Sequence, residues 1–194
     1  MKRILIYTLL LVLGIFAAPQ KETMTDPRDG KKYRTVKIGE QTWMAENLDA
    51  KAKNSWCYLG KADLCKKYRR LYDWEAAKDA CPAGWHLPSK EDFETLVAAV
   101  GGESTAGDKL KAASGWVKQK KSDGTEKSGF DARPAGYRFH NGFYSQEGRN
   151  VYFWSGTETS ADTAYYMSLS YDFGGSFLGA GVKTYGFSVR CVKD

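Results

Sequence analysis

Cys81-Pro82-Ala83-Gly84-Trp85-His86-Leu87-Pro88-Ser89-Lys90-Glu91-Asp92-Phe93-Glu94-Thr95-Leu96-Val97-Ala98-Ala99-Val100-Gly101-Gly102 is the stretch that organises the chain. Ser89 stands as an N-cap with Asp92 three residues on, and Phe93, Leu96, Val97 and Val100 recur at i, i+3, i+4 and i+7. That spacing predicts an amphipathic helix started by a side-chain cap and stopped by the glycine pair. Before it, Pro82 and Gly84 read as a turn. The cysteine at the head of the stretch offers the helix a covalent tie to a distant part of the chain.

Upstream, Tyr33-Arg34-Thr35-Val36-Lys37-Ile38 alternates, turns at Gly39-Glu40 and resumes at Gln41-Thr42-Trp43-Met44, which predicts an N-terminal β-hairpin. Asp26-Pro27-Arg28-Asp29-Gly30 reads as a turn. Asp73 caps a short helix from Trp74 to about Ala80, ended by Pro82. Downstream, a short helix is expected around Asp108 to Ala113, followed by a polar loop from Lys118 to Gly129. Beyond Ala135 the pattern is strand-like. Asn141-Gly142, between Tyr137-Arg138-Phe139-His140 and Phe143-Tyr144-Ser145-Gln146, predicts a hairpin with a two-residue type I′ turn. Further strands are expected at Val151 to Ser155, across Tyr165 to Ser170, at Ser176 to Val182 and at Gly186 to Val192. Helices come early and strands late, so the fold class is α+β, with two main helices and a twisted antiparallel sheet formed mainly by the C-terminal half.

The chain has 194 residues with 27% charged and 42% hydrophobic side chains, enough for one globular domain with a core of its own. Its opening, Met1-Lys2-Arg3 followed by the apolar run Ile4 to Ala18, has the layout of a secretory signal peptide. That run is shorter than the roughly 20 residues a spanning helix needs, so no membrane span is expected once residues 1–18 are removed. Residues 19–28 read as a short linker and 29–194 as the domain. The formal charge of +6 falls to +4 once Lys2 and Arg3 are set aside. Export places the protein in the periplasm, at the cell surface or outside the cell.

An oxidising compartment permits disulfides, and the chain has four cysteines, Cys57, Cys65, Cys81 and Cys191. Three pairings are possible. The spacing favours a local clip, Cys57 to Cys65, and a long clasp from Cys81 to Cys191. The rival is zinc, but no Cys-x-x-Cys occurs and His86 and His140 do not fall at paired ligand spacing.

Five ordered motifs carry a family resemblance. They are Asp29 to Leu48, Arg70-Leu71-Tyr72-Asp73-Trp74, Cys81 to Ser89, Arg133-Pro134-Ala135-Gly136-Tyr137-Arg138 with Phe153-Trp154-Ser155, and Gly186-Phe187-Ser188-Val189-Arg190-Cys191-Val192. Together they resemble the Fibrobacter succinogenes major paralogous domain over nearly the whole mature chain. The resemblance implies a C-type-lectin-like fold, distantly similar to the formylglycine-generating sulfatase-modifying enzymes, and it implies no particular activity. One departure is Asp131-Ala132-Arg133, where members tend to have Ser-Ala-Leu.

Each candidate site has a plain structural reading beside it. Trp85 and His86 are expected to pack and hydrogen-bond near the capped helix. Glu75 with Asp79, and Glu91, Asp92 and Glu94, lie where the helix macrodipole alone favours carboxylates. Asp123, Asp162 and Asp172 lie in loops, without the spacing of a calcium loop. No metal and no cofactor is therefore expected. The basic runs Lys66-Lys67-Tyr68-Arg69-Arg70 and Lys118-Gln119-Lys120-Lys121 invite a polyanion, more readily an acidic glycan or envelope polymer than nucleic acid, which is not expected as a partner.

The aromatic surplus is the most suggestive feature, with 6 Trp, 12 Tyr and 9 Phe. Trp116, Tyr144, Trp154, Tyr171 and Phe173 neighbour Gly or polar residues, and flat rings beside hydrogen-bonding groups suit sugars or a protein surface. Trp116, Tyr144, Trp154, Tyr171 and Asp172 are the candidate ligand-binding residues. The reading is an exported, non-catalytic module that displays loops Ser104 to Gly129 and Ser155 to Gly181 to a glycan or a cell-surface protein. The alternative is an oxidase related to the sulfatase-modifying enzymes, which would need a reactive thiol.

Overall fold

The computed structural model of the protein describes residues 21–118 and 128–194. The expected signal peptide and most of the Lys118 to Gly129 loop, Asp123 included, lie outside the described residues. In chain order the first strands are β1 (Lys21–Thr25), β2 (Lys32–Ile38), β3 (Gln41–Met44) and β4 (Ser55–Cys57). Next come α1 (Ala62–Tyr68), β5 (Arg70–Tyr72), α2 (Trp74–Lys78), β6 (Trp85–His86), α3 (Lys90–Ala99) and α4 (Glu103–Leu110). The second half holds β7 (Ala135–Arg138), β8 (Tyr144–Glu147), β9 (Asn150–Glu158), β10 (Thr163–Ser170), β11 (Phe177–Val182), β12 (Phe187–Ser188) and β13 (Val192–Lys193).

The class is α+β, built on two sheets. One is antiparallel, in the order β1-β2-β3-β13-β6, and the other is mixed, in the order β11-β10-β9-β12-β5-β4, with β7 paired to β9 and β8 paired to β7. This corrects the expectation of one mainly C-terminal sheet: the N-terminal hairpin belongs to a second sheet, which also takes in β13 and β6. The reason is the last segment, expected as one strand. It pairs β12 with β5 and β9, crosses over through buried Val189, Arg190 and Cys191, and pairs β13 with β3 and β6. Within the residues expected as a linker, Lys21–Thr25 is hydrogen-bonded along β2 as the edge strand β1.

The capped helix forms as its sequence dictates. Ser89 accepts from the Asp92 backbone N–H at 3.0 Å, and the Asp92 carboxylate accepts from the Ser89 N–H at 2.9 Å, a reciprocal capping box. Phe93, Leu96 and Val97 are buried, with Phe93 stacked 5.6 Å from Trp43. Asp73 caps α2 by accepting from the Ala76 N–H at 2.8 Å. The helix expected at Asp108 to Ala113 starts earlier, at Glu103, because the chain turns at Gly102 (φ 91°). Gly107 permits that packing: a Cβ there would lie 2.1 Å from the Gly175 carbonyl oxygen, and the neighbouring Asp108 N–H donates to the Gly174 carbonyl at 2.8 Å.

The β7–β8 hairpin is present, but its turn differs from type I′. Of Asn141 and Gly142 only the glycine has positive φ (92°), and the Phe139 N–H donates to the Phe143 carbonyl. That is a three-residue loop closed by a left-handed glycine. Strand β9 divides the core by its two-residue period: Val151 and Phe153 join the cluster around Trp43, Phe93 and Phe130, while Trp154 joins Tyr72, Trp74 and Phe187 on the other side. Met167 and Leu169 of β10 follow the first face, and Ala164 follows the second.

Both disulfides follow the expected pairing, Cys57–Cys65 at a separation of 8 residues and Cys81–Cys191 at 110. The long clasp ties the residue before α3's approach to the crossing segment between the sheets.

Candidate functional site

Aromatic rings converge on one side of the mixed sheet. Tyr137 of β7, Phe139 just beyond it, Tyr152 of β9, Tyr166 of β10 and Tyr185 with Phe187 at β12 line a cavity of about 190 Å³, completed by Ala180 and Gly181 of β11. Tyr152 is central, 5.1 Å from Tyr137, 5.5 Å from Tyr166 and 5.0 Å from Phe187, ring centroid to ring centroid. Tyr185 lies 6.0 Å from Tyr137, and His140 stacks on it from outside at 6.1 Å. Edge and tilted contacts of this kind fix ring orientation.

Glycine on β11 makes room for the rings. A Cβ at Gly179 would lie 3.0 Å from the Tyr166 hydroxyl and 2.5 Å from the Phe177 ring, and one at Gly181 would lie 3.1 Å from both Tyr166 and Phe187. The tyrosines are half-buried, whereas Phe187 beneath them is sealed. Burial, followed by the neighbouring phenols, raises the Tyr137 hydroxyl above its ordinary pKa, and burial raises that of Tyr166. Both stay neutral, each able to donate and accept. Tyr152 accepts from the Asn150 amide at 3.0 Å.

None of the residues singled out in the sequence lines this basin. Trp116 is half-buried against the core, its indole N–H donating to the Ala132 carbonyl at 3.2 Å. Tyr144 tilts against Tyr58 at 5.0 Å. Trp154 is fully buried and donates to the Tyr72 carbonyl at 2.8 Å, so its ring supports Phe187 from below, 4.2 Å away, and presents no face to a ligand. Arg149 lies over the Tyr171 ring at 5.1 Å and donates to its hydroxyl at 3.0 Å. Exposed Asp172 accepts from the Ser170 hydroxyl. The segment Ser155 to Gly181, expected as a displayed loop, is mostly strand.

His86 bridges two carboxylates, Asp194 at 2.6 Å and Asp92 at 3.1 Å. Burial lowers its pKa, but the hydrogen bonds to Asp194 and Asp92 outweigh it and leave the imidazole above its usual value. This is a tie between the C-terminus and the capping box of α3. Glu75 pairs with Lys78 and Glu94 with Lys90. Among the described residues no three His, Cys, Asp or Glu side chains come together as a metal-binding group, and no helix is long and apolar enough to cross a membrane.

What fold and site define together is a disulfide-clasped α+β domain that carries an aromatic basin on its mixed sheet. The chain belongs to the Fibrobacter succinogenes major domain family, whose model matches residues 36–193. No curated protein and no solved structure matches the chain.

The alternating positions could have found the basin. Tyr137 with Phe139, and Tyr185 with Phe187, are i, i+2 pairs that put two lining rings on one side of the chain, and Tyr152 stands two residues before Trp154, whose ring supports Phe187 from below.

Proposed function

We propose that the protein is an exported, non-catalytic binding module of C-type-lectin-like build whose aromatic basin holds a carbohydrate. The observation that carries this reading is the basin: a cavity lined by half-buried tyrosines, which combine flat apolar rings with phenol hydroxyls. Sugars present the matching chemistry, C–H faces for the rings and hydroxyls for the phenols. The Tyr137, Tyr166 and Tyr185 hydroxyls make no hydrogen bond within the described residues. Two disulfides and a signal-like opening support export to the cell envelope or beyond.

The oxidase reading needs a thiolate, and all four cysteine sulfurs are held in disulfides. Glycan-array binding of the wild-type chain and of Tyr152→Ala tests the proposal. Wild-type protein is expected to bind a restricted set of neutral glycans, and Tyr152→Ala to lose at least about tenfold in affinity, as for other buried aromatic anchors. A blank array combined with capture of a cell-surface protein would replace the sugar by a protein ligand.

A further inference from the structure

A second cavity lies away from the basin and has the opposite chemistry. It is about 90 Å³ in volume and sits where the end of α1 meets the Phe130–Arg133 segment and the crossing strand. Lys66, Lys67, Arg69, Arg133 and Arg190 line it, against Glu46 and Asp131. Both carboxylates are already engaged. Asp131 accepts from Arg34 at 2.9 Å and Arg133 at 3.3 Å, and Glu46 takes the Arg34 side chain at 3.4 Å and lies 4.0 Å from Arg69.

Arg190 is the unusual member. It is 1% exposed, and among the described residues its guanidinium has no carboxylate in contact. It donates to Asn47 Oδ1 at 2.9 Å and to the carbonyls of Met44 at 3.2 Å, Phe130, and Asp131 at 3.1 Å. A guanidinium has five N–H donors, so these four bonds leave one on Nη2 in a residue that lines the cavity. Burial lowers its pKa to about 9, which keeps it cationic at neutral pH. Two further lining residues hold left-handed backbone without being glycine, Arg69 (φ 68°) and Asp131 (φ 53°). Strained backbone of this kind persists where the surroundings impose it, and it concentrates at binding sites.

We infer that this cavity is an oxyanion site, with Arg190 as its floor, Arg69 and Arg133 as its walls and Lys66 and Lys67 at its mouth. The ligand is a carboxylate, sulfate or phosphate group, alone or as the substituent of an acidic polymer. The remaining Nη2–H of Arg190 together with the guanidinium donors of Arg69 and Arg133 match such a group with charge-assisted hydrogen bonds. The inference does not rest on the basin reading, since the two cavities share no lining residue.

Isothermal titration of the disulfide-bonded chain with sulfate, inorganic phosphate and glucuronate, at constant ionic strength, tests it. Saturable binding of at least one, with a dissociation constant of about 1 mM or tighter, is expected, and the tightest identifies the group. Arg133→Gln should weaken that binding about tenfold, the loss of one charge-assisted contact. Lys66→Gln, on the exposed rim, should weaken it a few-fold, roughly the effect of one screened charge, while Lys53→Gln, at an exposed position outside the lining, leaves it unchanged. No saturation, equal losses in all three variants, or full binding in both Arg133→Gln and Lys66→Gln would overturn the site.

Discussion

The sealed tryptophans and the open tyrosines are the same kind of residue put to two uses. Trp43, Trp74 and Trp154 are essentially unexposed, and every indole N–H donates internally: Trp43 to Gln41 Oε1 at 3.3 Å, Trp74 to the Ser155 carbonyl and Trp154 to the Tyr72 carbonyl, both at 2.8 Å. The basin tyrosines are half-buried, and three of their four hydroxyls have no internal partner among the described residues. Phe187 is the boundary, with Trp154 beneath it and Tyr152, Tyr166 and Tyr185 around it. What separates the sealed core from the open basin in this protein is whether the polar handle of each aromatic has been spent, rather than aromatic content.

The largest expected effect lies on the sealed side. By the loop-entropy model, a clasp spanning 110 residues is worth about 5 kcal/mol and the 8-residue clip about 2.5 kcal/mol. Urea denaturation of Cys81→Ser/Cys191→Ser should therefore show about twice the loss of Cys57→Ser/Cys65→Ser. Equal losses would mean that the crossing segment stays docked through its hydrogen bonds alone.

A smaller pair of effects cuts across the boundary. Trp154→Ala removes a fully buried ring and should cost about 3–5 kcal/mol in the same assay. Tyr185→Phe removes a hydroxyl with no partner among the described residues, so stability should stay within about 0.5 kcal/mol of wild type, as for ordinary surface changes. A Tyr185→Phe loss comparable to that of Trp154→Ala would merge the two regions into one core.

The sequence made the local devices readable. Ser89 with Asp92, Asp73 before Trp74 and the alternation through Thr35, Val36 and Trp43 each encode their element within a few residues, and the structure has all three. The disulfide pairing was legible from spacing. Non-local pairing was not. Nothing within Gly186 to Val192 announces that Ser188 pairs with Leu71 while Val192 pairs with Trp43 and His86, because both halves are short, apolar and strand-like. Trp154 lies on the expected strand, but the loop expected from Ser155 does not begin there: β9 runs on through Gly156 to Glu158, the Gly156 N–H donates to the Pro88 carbonyl at 2.8 Å, and the Trp154 ring is fully buried. The charged cavity was half legible, since the basic run Lys66 to Arg70 was visible but Arg190 and Asp131 reach it only through the fold.

The decisive measurement is ring-proton NMR of the disulfide-bonded chain, titrated with the oligosaccharide that binds best on the array. The Tyr137, Tyr152, Tyr166 and Tyr185 resonances should shift together and saturate at one equivalent, while those of Trp43 and Trp74 stay in place. Shifts gathered instead on Trp116, Tyr144 and Tyr171, with the basin silent, would contradict the account.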